Sequence, residues 1–130
     1  MATILIVEDS HVDATMVAHM LGKNGYEAIC ASNGTDAIKI AEESQPDLIV
    51  MDVVMPGGID GFRATRMLRQ NPATNHIPVI IASGEDRGHF RQWGFRQGAC
   101  DYIDKPIKEP VLISKIALHL NGPALAESRA

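Results

Sequence analysis

Five short apolar runs recur along the chain: Thr3-Ile4-Leu5-Ile6-Val7, a weaker one over Glu27–Ala31, Leu48-Ile49-Val50-Met51, Pro78-Val79-Ile80-Ile81-Ala82, and Asp101-Tyr102-Ile103. Each is too short for a helix, and most lack the in/out alternation of a half-exposed strand, so they read as strands buried on both faces. Between them the apolar spacing becomes helical. Ser10 with Asp13 has the capping-box pattern and predicts a helix with Ala14, Val17, Met20 and Leu21 inward, stopped by Gly25. Asn33-Gly34-Thr35 turns into a second helix carrying Ala37, Ile38 and Ala41, which Pro46 ends. A third is expected from about Asp60 to Asn71, with Phe62, Met67 and Leu68 inward and Arg63, Arg66 and Arg69 as a solvated face. Asp86 to Gln97 predicts a fourth, short, irregular or mobile, because Gly88 and Gly94 each cost about 1 kcal/mol relative to alanine. Pro110 suits the first turn of a last helix bearing Leu112, Ile113, Ile116 and Leu120, closed by Gly122-Pro123. One domain over residues 1–120 with a flexible tail at 121–130 is the expected organisation.

Strands alternating with helices argue for an open α/β sheet with helices on both faces, since parallel neighbours need a crossover. Ligands bind such sheets at the carboxyl ends of the strands. That rule gathers Glu8 and Asp9 after the first strand, Asp52 after the third, Ser83 after the fourth and Lys105 after the fifth. Two unit charges about 4 Å apart repel by roughly 4 kcal/mol at an effective dielectric near 20, so crowded carboxylates call for a cation. Oxygen ligands without a nearby His or Cys select a hard ion, and Mg²⁺ fits best. Such a site suits a phosphoryl group: the Lys105 ammonium neutralises its oxygens, the Ser83 hydroxyl donates to it, and Asp52 is placed as nucleophile toward phosphorus.

Composition narrows the classes. Hydrophobic residues make up 45% and charged ones 22% of 130 residues, ordinary for a globular domain. A net charge of −4 and a pI near 5.7 give no footprint for nucleic acid. The absence of a leader or long apolar stretch leads to the expectation of a cytoplasmic protein with no membrane contact. Cys30 and Cys100 read as free thiols, Cys100 as a core filler, and the five histidines share no metal spacing.

The set Glu8-Asp9, Asp52, Met55-Pro56, Asp60-Gly61, Ser83 and Lys105-Pro106, in this order at strand ends, resembles the receiver domain of bacterial two-component response regulators over roughly residues 3 to 120. The resemblance implies a flavodoxin-like (βα)5 sheet in the order 2-1-3-4-5 and phosphorylation of Asp52 by a sensor histidine kinase or phosphotransfer protein. It implies Mg²⁺ on Asp9, Asp52 and the Val54 main-chain carbonyl, with Glu8 acting through water. Lys105 would bind the phosphoryl group through a cis Lys105-Pro106 site, and Ser83 and Tyr102 would be the switch pair. The stretch Trp93–Tyr102 looks most like single-domain receivers of chemosensory and twitching-motility pathways. Two features depart from the family: the loop Met55–Gly61 is one residue longer than usual, and Val54 stands where many relatives carry a polar residue.

The function expected is a signalling receiver, not an enzyme, working by phosphorylation-dependent binding of a downstream protein, as a monomer or weak dimer. A phosphate sink or shuttle, or the receiver part of a larger regulator, is the alternative. A phosphotransferase is disfavoured because no acid stands two residues after Asp52, and a flavodoxin because Glu8 and Asp9 would repel a phosphate. Phe90, Trp93, Phe95 and Tyr102 cluster in the fourth helix and fifth strand and are expected to form a partner face.

Overall fold

The computed structural model describes residues 1–55, 57–84 and 88–129, with backbone alone for 88 and 121–129. Five strands, β1 (Thr3–Val7), β2 (Glu27–Ala31), β3 (Leu48–Asp52), β4 (Val79–Ser83) and β5 (Asp101–Asp104), alternate with helices α1 (His11–Lys23), α2 (Gly34–Ser44), α3 (Gly61–Gln70), α4 (Gly88–Gln97) and α5 (Glu109–Arg129). The sheet order is β2-β1-β3-β4-β5 and every pairing is parallel. This is the flavodoxin-like doubly wound sheet that the alternation of elements and the family resemblance lead one to expect.

The period-2 geometry of the strands divides the core in two. Leu5, Val7, Ile49, Met51, Val79 and Ile81 point to one face, where Ala37 and Ala41 of α2 and Phe62, Ala64 and Leu68 of α3 cover them. Ile4, Ile6, Leu48, Val50 and Ile80 point to the other, against Val17 and Leu21 of α1 and Leu112 and Ile116 of α5. The central strands β3 and β4 are buried along their whole length, which is why they read as unbroken apolar runs.

Helix starts follow their caps. The Ser10 side chain accepts from the Asp13 N–H at 3.3 Å, Asn33 from Asp36 at 2.8 Å and Asp60 from Arg63 at 2.8 Å. The Ser10 N–H donates to Glu8 Oε2 at 3.1 Å, so the reciprocal half of the expected capping box is taken over by a site carboxylate. Gly25, at φ 84°, supplies the left-handed turn after α1. Gln45 takes the same conformation after α2 at φ 48°, held by side-chain bonds from its Nε2 to the carbonyls of Ala41, Glu42 and Ala73.

Several boundaries differ from the sequence reading. Met67 is 38% exposed rather than inward, because Gly61, Phe62, Ala64, Thr65 and Leu68 complete the buried stripe of α3. Ser83 is the last residue of β4, a position its register with Asp104 permits. The predicted start of the fourth helix at Asp86 lies outside the described residues, as do Pro56 and Glu85; within them α4 is a regular helix of ten residues. The backbone of α5 continues past Gly122-Pro123 to Arg129: a proline in a helix removes one backbone bond and bends the axis without necessarily ending it.

Asp101 forms a long-range anchor between β5 and α5. Its Oδ1 accepts from Lys115 Nζ at 2.7 Å, and its Oδ2 lies 2.9 Å from His119 Nε2. Burial pushes its carboxyl pKa up, but the bonds to Lys115 and His119 outweigh this and hold it below the usual range.

Two outcomes test this packing. A Cβ on Gly61 would lie 2.0 Å from the Asp52 carbonyl oxygen, whereas one on Gly22 would meet nothing within 4 Å. Gly61→Ala should therefore lower the unfolding free energy from urea melts by about 1–3 kcal/mol, and Gly22→Ala should raise it by about 0.5–1 kcal/mol. For Asp101, whose folded pKa is depressed, the stabilisation is present above the unfolded carboxyl pKa and is lost as pH falls through the folded value. Asp101→Asn should cost about 1 kcal/mol at pH 7, and urea melts along an acid series should show the deficit closing.

Candidate functional site

The carboxyl ends of β1, β3 and β5 meet at one edge of the sheet. Glu8 and Asp9 follow β1 directly, Asp52 ends β3, and Lys105 follows β5. One carboxylate oxygen from each of Glu8, Asp9 and Asp52 lies within 4.8 Å of the others, with Glu8 and Asp52 buried and Asp9 exposed. The Lys105 ammonium bridges the two buried acids, 2.5 Å from Glu8 Oε1 and 3.0 Å from Asp52 Oδ1. Asp52 Oδ1 also accepts from the Val53 N–H at 2.9 Å, which fixes its rotamer.

Three carboxylates against one ammonium leave the cluster with a formal charge of −2, and two titrating groups register it in the same sense. Burial pushes the Glu8 carboxyl pKa up, its bonds to Lys105 and Ser10 oppose this, and the negative Asp52 adds to the rise. Burial would push Lys105 down, but its bonds to Glu8 and Asp52 outweigh that and raise it. Both groups hold their protons more firmly than in water, Glu8 chiefly because it is buried and Lys105 because two carboxylates accept from it. The all-oxygen donor set suits a hard divalent cation.

Main-chain bonds hold the site's frame. The Lys105 N–H donates to the Ser83 carbonyl at 2.9 Å, tying the β5 exit to the β4 exit, and Lys105-Pro106 is a cis peptide. Asp52 pairs with Ala82 in register, so Ser83 lies one residue farther along the adjacent strand; it is buried at 2% exposure. Gly61 donates to the Val53 carbonyl at 2.9 Å, and the absence of a side chain there lets α3 sit on the Asp52–Val53 peptide. In the loop before Asp60, Gly57 takes a left-handed φ of 93°. Val54 stands 67% exposed beside the site.

Tyr102 is 3% exposed, with the Arg91 guanidinium 4.9 Å above its ring. The four aromatic residues of the expected partner face are thus divided. Trp93 and Phe95 are about half exposed, Phe90 is partly buried edge-on to Phe62, and Tyr102 lies inside. Arg91, which also lies 3.4 Å from Asp104, was not singled out by the sequence; its role depends on how α4 approaches β5, for which the chain carries no local signal. Cys30 and Cys100 are free, and burial pushes the Cys100 thiol up to about 11, the behaviour of a packing residue.

The chain thus forms a doubly wound parallel α/β sheet with an acidic cluster bridged by a lysine at its carboxyl edge, and residues 4–117 match the response regulator receiver domain family. The chain belongs to that family. It is 43% identical over 122 residues to Protein PilH of Pseudomonas aeruginosa, covering 94% of this chain and all of PilH. It is 35% identical to the polar-differentiation response regulator DivK of Brucella anthropi, covering 91% and 95% of the two chains. The match to the response regulator PleD of Caulobacter vibrioides, at 36% identity, spans only 25% of that longer protein. Among solved structures, a response regulator from Chloroflexus aurantiacus superposes with a TM-score of 0.87 at 32% identity, covering 92% of this chain and 97% of that one. Chemotaxis protein CheY4 of Vibrio cholerae superposes at 0.84 and 30% identity, covering 90% and 97%. No helix among the described residues is long and apolar enough to cross a membrane.

Proposed function

We propose that the protein is a cytoplasmic receiver that accepts a phosphoryl group on Asp52 from a sensor histidine kinase or phosphotransfer protein and passes the signal on by binding a downstream protein, in motility or chemosensory control. The observation that carries this reading is the Lys105 ammonium held between Glu8 and Asp52 at the edge where three strands end. The likeness to chemotaxis protein CheY4 of Vibrio cholerae supports the chemosensory assignment.

The carboxylates of Asp9 and Asp52 and the Val54 main-chain carbonyl, with Glu8 acting through water, would hold Mg²⁺, which would supply positive charge to phosphoryl oxygens. An Asp52 carboxylate oxygen forms a bond to phosphorus as the phosphorus–nitrogen bond of a phosphohistidine donor breaks, and the imidazole leaves with its electron pair. Lys105 shifts from bridging two carboxylates to binding a phosphoryl oxygen, and the Ser83 hydroxyl donates to another. The bond from Ser83 holds the β4 exit in one arrangement, and Tyr102, whose ring already lies inside, is retained there. Phosphorylation on this account weights an existing arrangement rather than building a new one. The domain promotes its own phosphorylation and dephosphorylation and has no other substrate. This function resides in residues 1–120.

Incubation with acetyl phosphate and Mg²⁺ should add a single phosphoryl mass to the intact protein, which Asp52→Ala and omission of the cation both abolish. Turnover of added phosphoesters, or a bound flavin, would refute the receiver reading. Val54, lacking a polar group to position water, should lengthen the life of the aspartyl phosphate. Val54→Asn is expected to shorten its half-life several-fold when phosphate loss is followed by mass spectrometry.

A further inference from the structure

The exposed sides of α3 and α4 enclose a groove that the phosphorylation chemistry does not use. Two neighbouring cavities of about 400 and 450 Å³ lie along it and share Asp60, Phe62 and Trp93 in their walls. Its floor is apolar, with Phe62 below and Met67 38% exposed along one bank. Trp93 stands 46% exposed from α4, the chain's single tryptophan. Arg63 and Arg66 rise from α3 and Arg96 from α4, all exposed, and none of the three enters a salt bridge among the described residues. Among the described residues the one carboxylate on the lining, Asp60, accepts from the Arg63 N–H as the α3 cap.

A positive groove on a chain of net charge −4 is a local reversal of sign, and it encloses an aromatic ring between cationic banks. We propose that this groove is a docking site for a short acidic segment of a partner protein carrying an aromatic or large aliphatic residue. The apolar side chain seats against Trp93 and Phe62, and flanking carboxylates pair with Arg63, Arg66 and Arg96. The arginines suit carboxylates because their planar donor fork matches two oxygens at once. Each helix has ten residues, about 15 Å at 1.5 Å per residue. At about 3.3 Å per residue, that length admits four or five residues of extended chain. The overall acidity of the protein and the shortness of the groove favour a peptide over a nucleic acid.

The proposal goes beyond the phosphoacceptor reading and stands independently of it. The test uses the full chain with a capped pentapeptide of one phenylalanine between two pairs of glutamates, against a counterpart with lysines in place of the glutamates. Trp93 fluorescence should saturate with the acidic peptide alone, weaken with salt, and map by amide chemical shifts to α3 and α4. Arg63→Glu combined with Arg66→Glu should weaken binding at least tenfold while phosphorylation by acetyl phosphate is retained; Arg96→Gln, on the opposite bank, provides a milder variant that should weaken it several-fold. Equal binding of the two peptides, unchanged affinity in the variants, or shifts confined to other helices would overturn the proposal. So would a wild-type dimer, seen by light scattering, that the double variant dissolves without any saturable peptide binding. Failure of Asp52 to accept phosphate, with peptide binding intact, would refute the phosphorylation reading and leave the groove in place.

Discussion

The Lys105 ammonium joins carboxylates that lie 97 and 53 residues away in sequence. Its position depends on β1, β3 and β5 ending at a common edge, and parallel pairing delivers that alignment without any special local feature. Mutual repulsion among Glu8, Asp9 and Asp52 works against the fold, and a single lysine offsets only part of it. The remaining negative charge makes the edge receptive to cations. Stability and chemistry are therefore coupled there: the groups that make folding less favourable are those that prepare the site to bind.

The backbone around this edge is as constrained as its charges. Glu8 accepts from the Ser10 N–H, so one site carboxylate also organises the entry to α1. Gly61 brings α3 onto the carbonyl of Asp52, and the Lys105 N–H links the ends of β4 and β5. Asp52 thus lies directly against the start of α3 and beside the joined ends of β4 and β5. Those elements frame Tyr102 on one side and the α3/α4 groove on the other.

Much of this was legible in the chain because a parallel sheet writes its strands as unbroken apolar runs. β2 and β3 fall where the pattern puts them, and the polar residues just after the strands meet in space. The reason for a glycine at position 61, close approach to the Asp52 carbonyl, emerges only in three dimensions. Side-chain direction on α3 was less legible: Met67 looks like core by type, and Thr65 takes the inward place by bonding the Gly61 carbonyl at 2.7 Å. Tertiary bonds left no trace in local sequence. Asp101 with Lys115 and His119, Arg91 over Tyr102, and Gln45 in a left-handed turn each depend on approaches between distant elements.

Gly94 leaves α4 able to lie close to the sheet, where a Cβ would come within 3.0 Å of Ile81 and 3.7 Å of Tyr102. The same residue weakens the helix's intrinsic preference for its own conformation. The helix thus draws its order from the surface beneath it, and a rearrangement of that surface costs it little internal resistance. A segment so supported can follow small changes at the sheet without first having to break itself.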